Sequence, residues 1–391
     1  MTNCLMNTYA RQALSFTRGE GAYLWDDKGN KYLDALGGIA VCGLGHSHPA
    51  LSDVICEQAK TLLHTSNIYH IPHQEQLANK LCSITGMDNV FFGNSGAEAN
   101  EAAIKIARLF GHNKRINDPM IIVMENSFHG RTMATLTATG NRKIQAGFEP
   151  LVHGFVRVPF NDIDAIRQVA KNSKNIVAIL VEPIQGEGGI NIPDSDYLNN
   201  LRDVCDEFDW LLMLDEIQTG MCRTGKWFAH QHNQITPDVM TVAKSLGNGI
   251  PIGACLASGK AANIFQPGNH GSTYGGNPFA TKVALSVIET LESIEATALA
   301  TQQGKYLLDA FNESLKDSDI VANIRGLGMM LGIELNQPCT ELVSQAIEKQ
   351  LLINVTAQNT IRLLPPLIFE KTQCDELVST LSQLIKNLNG K

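Results

Sequence analysis

Several short apolar runs, each closed by a polar or glycine turn, limit what this chain can fold into. Val90-Phe91-Phe92 runs into Gly93-Asn94-Ser95-Gly96, and an alanine-rich helical pattern follows over about 97–110. The run 120–124 ends in Glu125-Asn126-Ser127-Phe128-His129-Gly130, and the run 176–181 ends at Glu182-Pro183. Trp210-Leu211-Leu212-Met213-Leu214 ends at Asp215, and Val239-Met240-Thr241-Val242-Ala243 ends at Lys244. A strand with one wet face alternates apolar and polar residues. These runs are apolar throughout, so both faces must be covered. Their alternation with helical patterns predicts an α/β fold, a mostly parallel sheet with helices on both sides. Ligands of such sheets bind at the carboxyl ends of the strands. Ser95, Phe128, Glu182, Asp215 and Lys244 all fall there.

Lys244 and Asp215 suggest a chemistry. Desolvation at a strand end lowers a lysine pKa and makes the neutral amine accessible. That is what a Schiff-base lysine requires. A carboxylate held nearby suits a cationic ring nitrogen, and the two together point to pyridoxal phosphate. An ordinary ion pair at a strand end explains these two residues equally well, so the other motifs decide.

The bulk numbers narrow the class. With 391 residues, 44% of them hydrophobic, the chain can bury a large core and form two or three domains. A net charge of −8 without a dense basic run excludes a nucleic-acid surface. The apolar runs are far too short to cross a bilayer, so no membrane span is expected. Residues 1–10 lack a basic stretch followed by an apolar one, so no signal peptide is expected. Nine scattered cysteines without a CxxC pair fit reduced thiols and a cytoplasmic enzyme.

Residues 1–50 read as an N-terminal segment belonging to a small domain, with a hairpin whose turn is Asp27-Lys28-Gly29-Asn30. Residues 51–278 read as the large cofactor-binding domain. Residues 279–391 read as a linking helix over about 279–299 and a small α+β domain with strands at 329–335 and 360–364.

Four loops carry candidate site residues. Gly93-Asn94-Ser95-Gly96-Ala97 enters a helix, where free amides bind phosphate. A plain N-cap would look much the same. Gly271-Ser272-Thr273-Tyr274-Gly275-Gly276 offers two hydroxyls that could complete a phosphate cradle, or forms a surface turn. Phe128 could stack on a planar cofactor, although core packing is the commoner fate of a phenylalanine. Arg131, among small and polar neighbours, is a fork for a substrate carboxylate. Glu182-Pro183-Ile184-Gln185-Gly186-Glu187-Gly188-Gly189 sets two acids in a glycine-rich loop that could hold one acid and move the other, or serve as a solvated loop. Two further patterns are set aside. Gly220-Met221-Cys222-Arg223-Thr224-Gly225-Lys226-Trp227 has tryptophan where a phosphate loop needs Ser or Thr. His46-Ser47-His48, with His64, His70 and His73, has no acid or cysteine at a metal-ligand spacing, so no metal is expected.

In this order, these motifs resemble the class III pyridoxal-phosphate-dependent aminotransferases. The resemblance runs from about Tyr23 to Pro366. It includes Asn94-Ser95-Gly96-Ala97-Glu98-Ala99, Phe128-His129-Gly130-Arg131-Thr132, Leu214-Asp215-Glu216-Ile217-Gln218-Thr219-Gly220, Lys244 with its glycine loop, and Arg362. It implies the fold-type-I transferase architecture. It also implies that Lys244 bonds the cofactor and moves a proton, Asp215 meets the ring nitrogen, Gln218 the ring oxygen, and Phe128 stacks. Ser95, Gly96, Ala97 and Ser272 would hold the phosphate, with Thr273 reaching it from the neighbouring subunit of a homodimer with shared sites. Arg131 and Arg362 would bind substrate carboxylates, and Glu187 would pair with Arg362 in one half-reaction, with Glu182 beside it.

Within the family, Leu36-Gly37-Gly38-Ile39-Ala40-Val41, His64-Thr65-Ser66-Asn67 and Ala138-Thr139-Gly140-Asn141-Arg142-Lys143 are similar to members acting on acylated ornithine. Members acting on free ornithine carry a tyrosine where this chain has Ile39. The implied small-molecule partners are N-acetylornithine, 2-oxoglutarate and glutamate. Succinylornithine, N-succinyl-diaminopimelate, 4-aminobutyrate and a non-catalytic cofactor-binding protein remain alternatives.

Overall fold

The computed structural model describes residues 4–388. Residues 1–3 of the 1–10 stretch, and 389–391 at the far end of the C-terminal segment, lie outside the described residues.

β1 (Phe16–Glu20), β2 (Tyr23–Asp26) and β3 (Lys31–Asp34) form an antiparallel meander. Its second turn is built by Asp26. The Oδ1 atom accepts the amides of Lys28 (2.9 Å) and Asn30 (2.8 Å), and Oδ2 accepts the Asn30 side chain (2.8 Å). The turn falls at the expected Asp27-Lys28-Gly29-Asn30, but the acid that bonds the following backbone is Asp26, one residue before it.

The central sheet comprises β4 (Asn89–Gly93), β5 (Met120–Met124), β6 (Phe155–Val158), β7 (Ile176–Val181), β8 (Leu211–Asp215), β9 (Val239–Val242) and β10 (Gly253–Ala257), in the order β4-β10-β9-β8-β7-β5-β6. The β9–β8, β8–β7, β7–β5 and β5–β6 pairs are parallel, while β10 runs antiparallel to both β9 and β4. The reversal follows from loop length. A parallel connection needs a dozen or more residues, usually with a helix, and the loop over 243–252 is too short. It folds back along the carboxyl edge instead, carrying Lys244.

The apolar strands are buried on both faces, as their composition demands. Ile121, Val123, Leu211 and Met213 pack with Ala102, Ala103 and Ala107 of the helix Gly96–Asn113. Their sequence neighbours Ile122, Met124, Leu212 and Leu214 pack on the other face with Leu198 and Leu201 of the helix Tyr197–Glu207. The two-residue period of the strand assigns each side chain to its layer.

One expected element is corrected. The single helix read over 279–299 is two, Pro278–Ser293 and Ala296–Leu315. They break at Glu295, which takes φ 51°. No glycine or proline marks that break, because tertiary packing rather than local propensity turns the chain. β11 (Val321–Leu327), β12 (Met330–Leu335), β13 (Leu351–Leu352), β14 (Asn354–Thr356) and β15 (Thr360–Leu363) follow. An antiparallel sheet of order β11-β12-β15-β14 results, and β13 instead pairs in parallel with β3. That pairing ties the N-terminal meander to the C-terminal part. No helix among the described residues is long and apolar enough to cross a membrane.

Candidate active site

The carboxyl ends of β4, β5, β7, β8 and β9 open onto one cavity of about 410 Å³. Ser95, Gly96, Ala97, Phe128, Arg131, Glu182, Asp215, Gln218 and Lys244 all line it, with Val41, Ile217, Ile250 and Ile252. Its size lies within the roughly 300–1,000 Å³ of small-molecule sites.

One wall is a helix start. Ser95 caps the helix Gly96–Asn113, its hydroxyl accepting the Glu98 amide (3.2 Å). The amides of Gly96 and Ala97 open the first turn, where intrahelical acceptors are lacking. Glycine is needed at position 96, since a Cβ there would come within 2.7 Å of the Ile217 side chain.

Asp215 forms the floor. It is 4% exposed, and its Oδ2 accepts both the Asn100 side-chain amide (2.8 Å) and His129 Nδ1–H (2.8 Å). Asn100 is oriented in turn by the Thr241 hydroxyl, which donates to its Oδ1 (2.7 Å), and by the His129 carbonyl, which accepts from its amide (2.8 Å). Two donors on one oxygen fix the direction in which this buried carboxylate points. Glu216, one residue on, points elsewhere. It accepts the backbone amides of Ala229 and His230 (each 2.9 Å) and so anchors the following loop.

Lys244 is partly buried, at φ 47°, and desolvation, with Arg362 nearby, lowers its pKa to about 8. Gln218 places its side-chain amide in the wall, with Oε1 buried and without a protein partner among the described residues.

Glu182 holds the ring that faces this floor. Its Oε1 accepts the Phe128 amide (2.8 Å) and its Oε2 the Gly186 amide (3.1 Å). Burial pushes its carboxyl up to about 7, against the opposing pull of His129 and the two amides. The folded protein therefore binds a proton more tightly here than the unfolded chain does. Stability from this group falls as pH rises from about 4.5 through about 7. In urea unfolding, Glu182→Gln should gain on wild type by about 2–3 kcal/mol between pH 5 and 8. A pH-independent difference would show that Glu182 is not perturbed.

The substrate side is built by two arginines. Arg362, on β15, is 1% exposed; its Nη1 bonds Glu187 Oε1 (2.6 Å) and its Nη2 the Asn354 Oδ1 (2.8 Å). Arg131 has no ion pair among the described residues, and its guanidinium carbon lies 5.6 Å from the Phe128 ring centroid. Phe128, Arg131 and Glu187 share a second hollow with Thr356 and Ala357. The glycine-rich loop is tied to β11 and β14 at three carbonyls. Thr356 Oγ1 donates to the Glu187 carbonyl, and Arg325 donates to the carbonyls of Gly189 and Ile190. These bonds hold the loop backbone, and the partly exposed Glu187 side chain reaches from it to Arg362.

Ser272 and Thr273 lie outside this cavity. Ser272 Oγ accepts the Asn94 side-chain amide (3.2 Å) and the Gly275 amide (2.9 Å), and Thr273 is exposed. The histidines disperse: His46 pairs with Asp34, His70 with Glu75, and His64 packs on Tyr274. The Gly220–Trp227 stretch serves as a tie, Arg223 donating to the carbonyls of Met329 and Pro365.

The aminotransferase class-III model matches residues 6–385. The chain belongs to the class-III aminotransferases. The acetylornithine aminotransferase of Nitrosomonas europaea is 58% identical over 381 residues, covering 97% of each chain. The ornithine aminotransferase of Toxoplasma gondii, in which PLP partially occupies the active site, superposes with a TM-score of 0.95 at 30% identity, covering 99% of this chain and 93% of that one. The acetylornithine aminotransferase of Elizabethkingia anophelis superposes with a TM-score of 0.87 at 33% identity, covering 98% and 96%. The fold-type-I architecture expected from sequence is the one these class-III enzymes share.

This class-III aminotransferase contains site features that sequence reading missed. Asn100 and Thr241 orient Asp215, and the only hint was a polar residue on an alanine-rich helix face, where buried polar groups require partners. Residues Gly37, Gly38, Ile39 and Ala40 form a left-handed turn, with φ of 55°, 64°, 64° and 60°. Left-handed backbone costs about 1–2 kcal/mol per non-glycine residue, so Ile39 and Ala40 must be held there by their surroundings. The glycine pair Gly37-Gly38 was the available signal.

Proposed function

We propose that this enzyme moves the δ-amino group of N2-acetylornithine to 2-oxoglutarate, giving N-acetylglutamate 5-semialdehyde and glutamate by a ping-pong route through pyridoxal phosphate. The carrying observation is the unequal state of the two arginines: Arg362 is paired with Glu187, while Arg131 has no ion pair among the described residues. With Glu187 in place, only Arg131 attracts a carboxylate, which suits a substrate offering its distal amine. With Glu187 swung away, Arg362 accepts the α-carboxylate of glutamate. The 58% identical acetylornithine aminotransferase supports the same substrate, and so does the apolar Ile39, packed near Ile184 and Leu364, where a partner for a free α-amine would be needed.

The residues present fit pyridoxal phosphate. The Gln218 side chain in the cavity wall, which can donate an amide N–H, the Gly96 and Ala97 amides and the aimed Asp215 carboxylate would suit a ring oxygen, a phosphate and a ring nitrogen. When bound, the cofactor supplies an electrophilic aldehyde and an electron-withdrawing ring. Asp215 would meet the ring nitrogen and hold a proton there. Lys244 Nζ, near pKa 8, would take the proton from the substrate's amine-bearing carbon and hand it on to the carbon of the cofactor's former aldehyde. Phe128, its backbone held by Glu182, would cover the ring, and the apolar Ile217, Ile250 and Ile252 would limit water.

The larger unit over 51–278 would hold the cofactor, with 1–50 and 279–391 forming the smaller one. A homodimer is proposed, supported by the exposed apolar side chains Leu63, Ile68, Tyr69 and Tyr274. Asn67 links their two segments by donating to the carbonyls of Ser272 and Gly275. Thr273 would then serve the partner's site. A cytoplasmic setting accords with this chemistry.

Two measurements test the reading. A kcat/KM panel of N-acetylornithine, N-succinylornithine, ornithine and 4-aminobutyrate should be led by N-acetylornithine; another leader would overturn the substrate. Glu187→Ala should favour glutamate over N-acetylornithine by about 1–3 kcal/mol in relative kcat/KM, as expected for losing a half-buried charge partner. Single-turnover rates of the two half-reactions separate the effects. Equal changes in both would place the switch elsewhere, with Glu182 next in line.

A further inference from the structure

The left-handed turn Gly37–Ala40 borders the main cavity. Val41, directly after it, lines that cavity, and Ile39 packs on the cluster that contains Ile184, Ile190 and Leu364. Ile184 and Ile190 belong to the loop that carries Glu187, and Leu364 follows the strand that carries Arg362. A shift of the turn therefore moves the substrate wall at Val41.

Two polar residues outside the cavity hold this turn at its start. Asp34 is 3% exposed. Its Oδ1 accepts the amides of Leu36 (3.0 Å) and Gly37 (2.9 Å), and its Oδ2 accepts His46 Nε2–H (2.8 Å). At the other end, Ser245, beside Lys244, donates to the Ala40 carbonyl (2.7 Å). Asn248 accepts the Leu44 amide (2.8 Å) and donates to the Gly45 carbonyl (3.1 Å), so it fixes the return toward His46. The backbone that joins Asp34 to His46 is thus a strained loop whose ends are tied by backbone bonds to Ala22 and Gly21 and joined directly by one side-chain pair. Strained backbone persists only where its surroundings over-determine it.

We propose that Asp34 and His46 are a positioning pair for substrate selection: by holding the left-handed turn they set Ile39 and Val41 against the acylated end of the substrate. The proposal rests on the acylated-substrate reading above. Neither residue lines the cofactor cavity, so cofactor capture does not depend on them. Burial alone would lower the His46 pKa, but the bond to Asp34, with Cys42 also against the ring, holds it up at about 9. Arg18, Glu20 and His48 are the other charged or titratable groups around the surface hollow that His46 lines. A raised histidine pKa means the pair is intact at neutral pH and is lost as pH rises through about 9.

The test compares His46→Ala, His46→Gln and Asp34→Asn with wild-type holoenzyme, using N-acetylornithine, ornithine and glutamate. His46→Ala and Asp34→Asn should raise KM for N-acetylornithine roughly ten-fold or more and shrink the acetylornithine-to-ornithine kcat/KM ratio by a similar factor. The glutamate half-reaction and the cofactor affinity should stay within about two-fold. His46→Gln keeps a side-chain N–H for Asp34 and should recover most of the ratio. The wild-type ratio should be flat from pH 6 to 8 and fall above about 9, and in His46→Gln that fall should be absent. Equal losses in both half-reactions, loss of cofactor, or an unchanged ratio in His46→Ala would overturn the proposal. If Asp34→Asn does not fold, His46→Ala and His46→Gln decide. A wild type that prefers ornithine would instead refute the substrate reading, and the shift of the ratio would still judge the pair.

Discussion

Lys244→Ala is expected to retain fold and cofactor binding and to lose turnover by roughly three to four orders of magnitude, since nucleophile and proton carrier vanish together. The residue is partly buried, and desolvation with the nearby Arg362 lowers its pKa to about 8. A sizeable fraction is therefore the neutral amine at mildly alkaline pH, whereas an ordinary lysine would be almost entirely protonated. Removing it takes away a desolvated amine rather than a supporting contact, so stability should change little. The Asp215 floor and the helix start at Ser95 should still capture the cofactor. Three measurements decide the matter: steady-state turnover, spectral titration with pyridoxal phosphate, and peptide mass after borohydride reduction of wild type. The reduced cofactor on a lysine other than Lys244 would sink the assignment.

Asp215→Asn should slow both half-reactions by about 10- to 100-fold, the equivalent of a charge-assisted hydrogen bond worth roughly 1.5–3 kcal/mol. The local geometry gives this variant a distinct signature. Asn100 and His129 both donate to Oδ2 of Asp215. A neutral amide keeps one acceptor but loses the charge that would hold a proton on a ring nitrogen. Phosphate contacts at Ser95, Gly96 and Ala97 are elsewhere in the cavity, so cofactor affinity should fall much less than rate. Near-normal half-reaction rates would end the electron-sink role. The contrast with Glu187→Ala is informative as well. Asp215 serves the cofactor and should affect both substrates alike, whereas Glu187 pairs with one arginine and should affect them unequally.

The linear sequence determined a good deal by itself. Uniformly apolar runs such as 176–181 must be covered on both faces, and the following polar residues then fall at one edge of the sheet. Asp26, three residues before Gly29, builds its turn from its own neighbours. These properties come from the period of the backbone and from bonds between residues a few positions apart, so they are legible without the fold.

Other features arose only when distant segments met. Asp215 finds Asn100 across 115 positions and His129 across 86. Glu187 finds Arg362 across 175. The pinned backbone at Glu187, the left-handed turn before Val41 and the helix break at Glu295 each contradict or exceed what local propensity implies. In each case the deciding energy is a long-range hydrogen bond or packing contact. Such contacts form because the sheet brings strand ends together, and no window of neighbouring residues encodes which donor will face which oxygen.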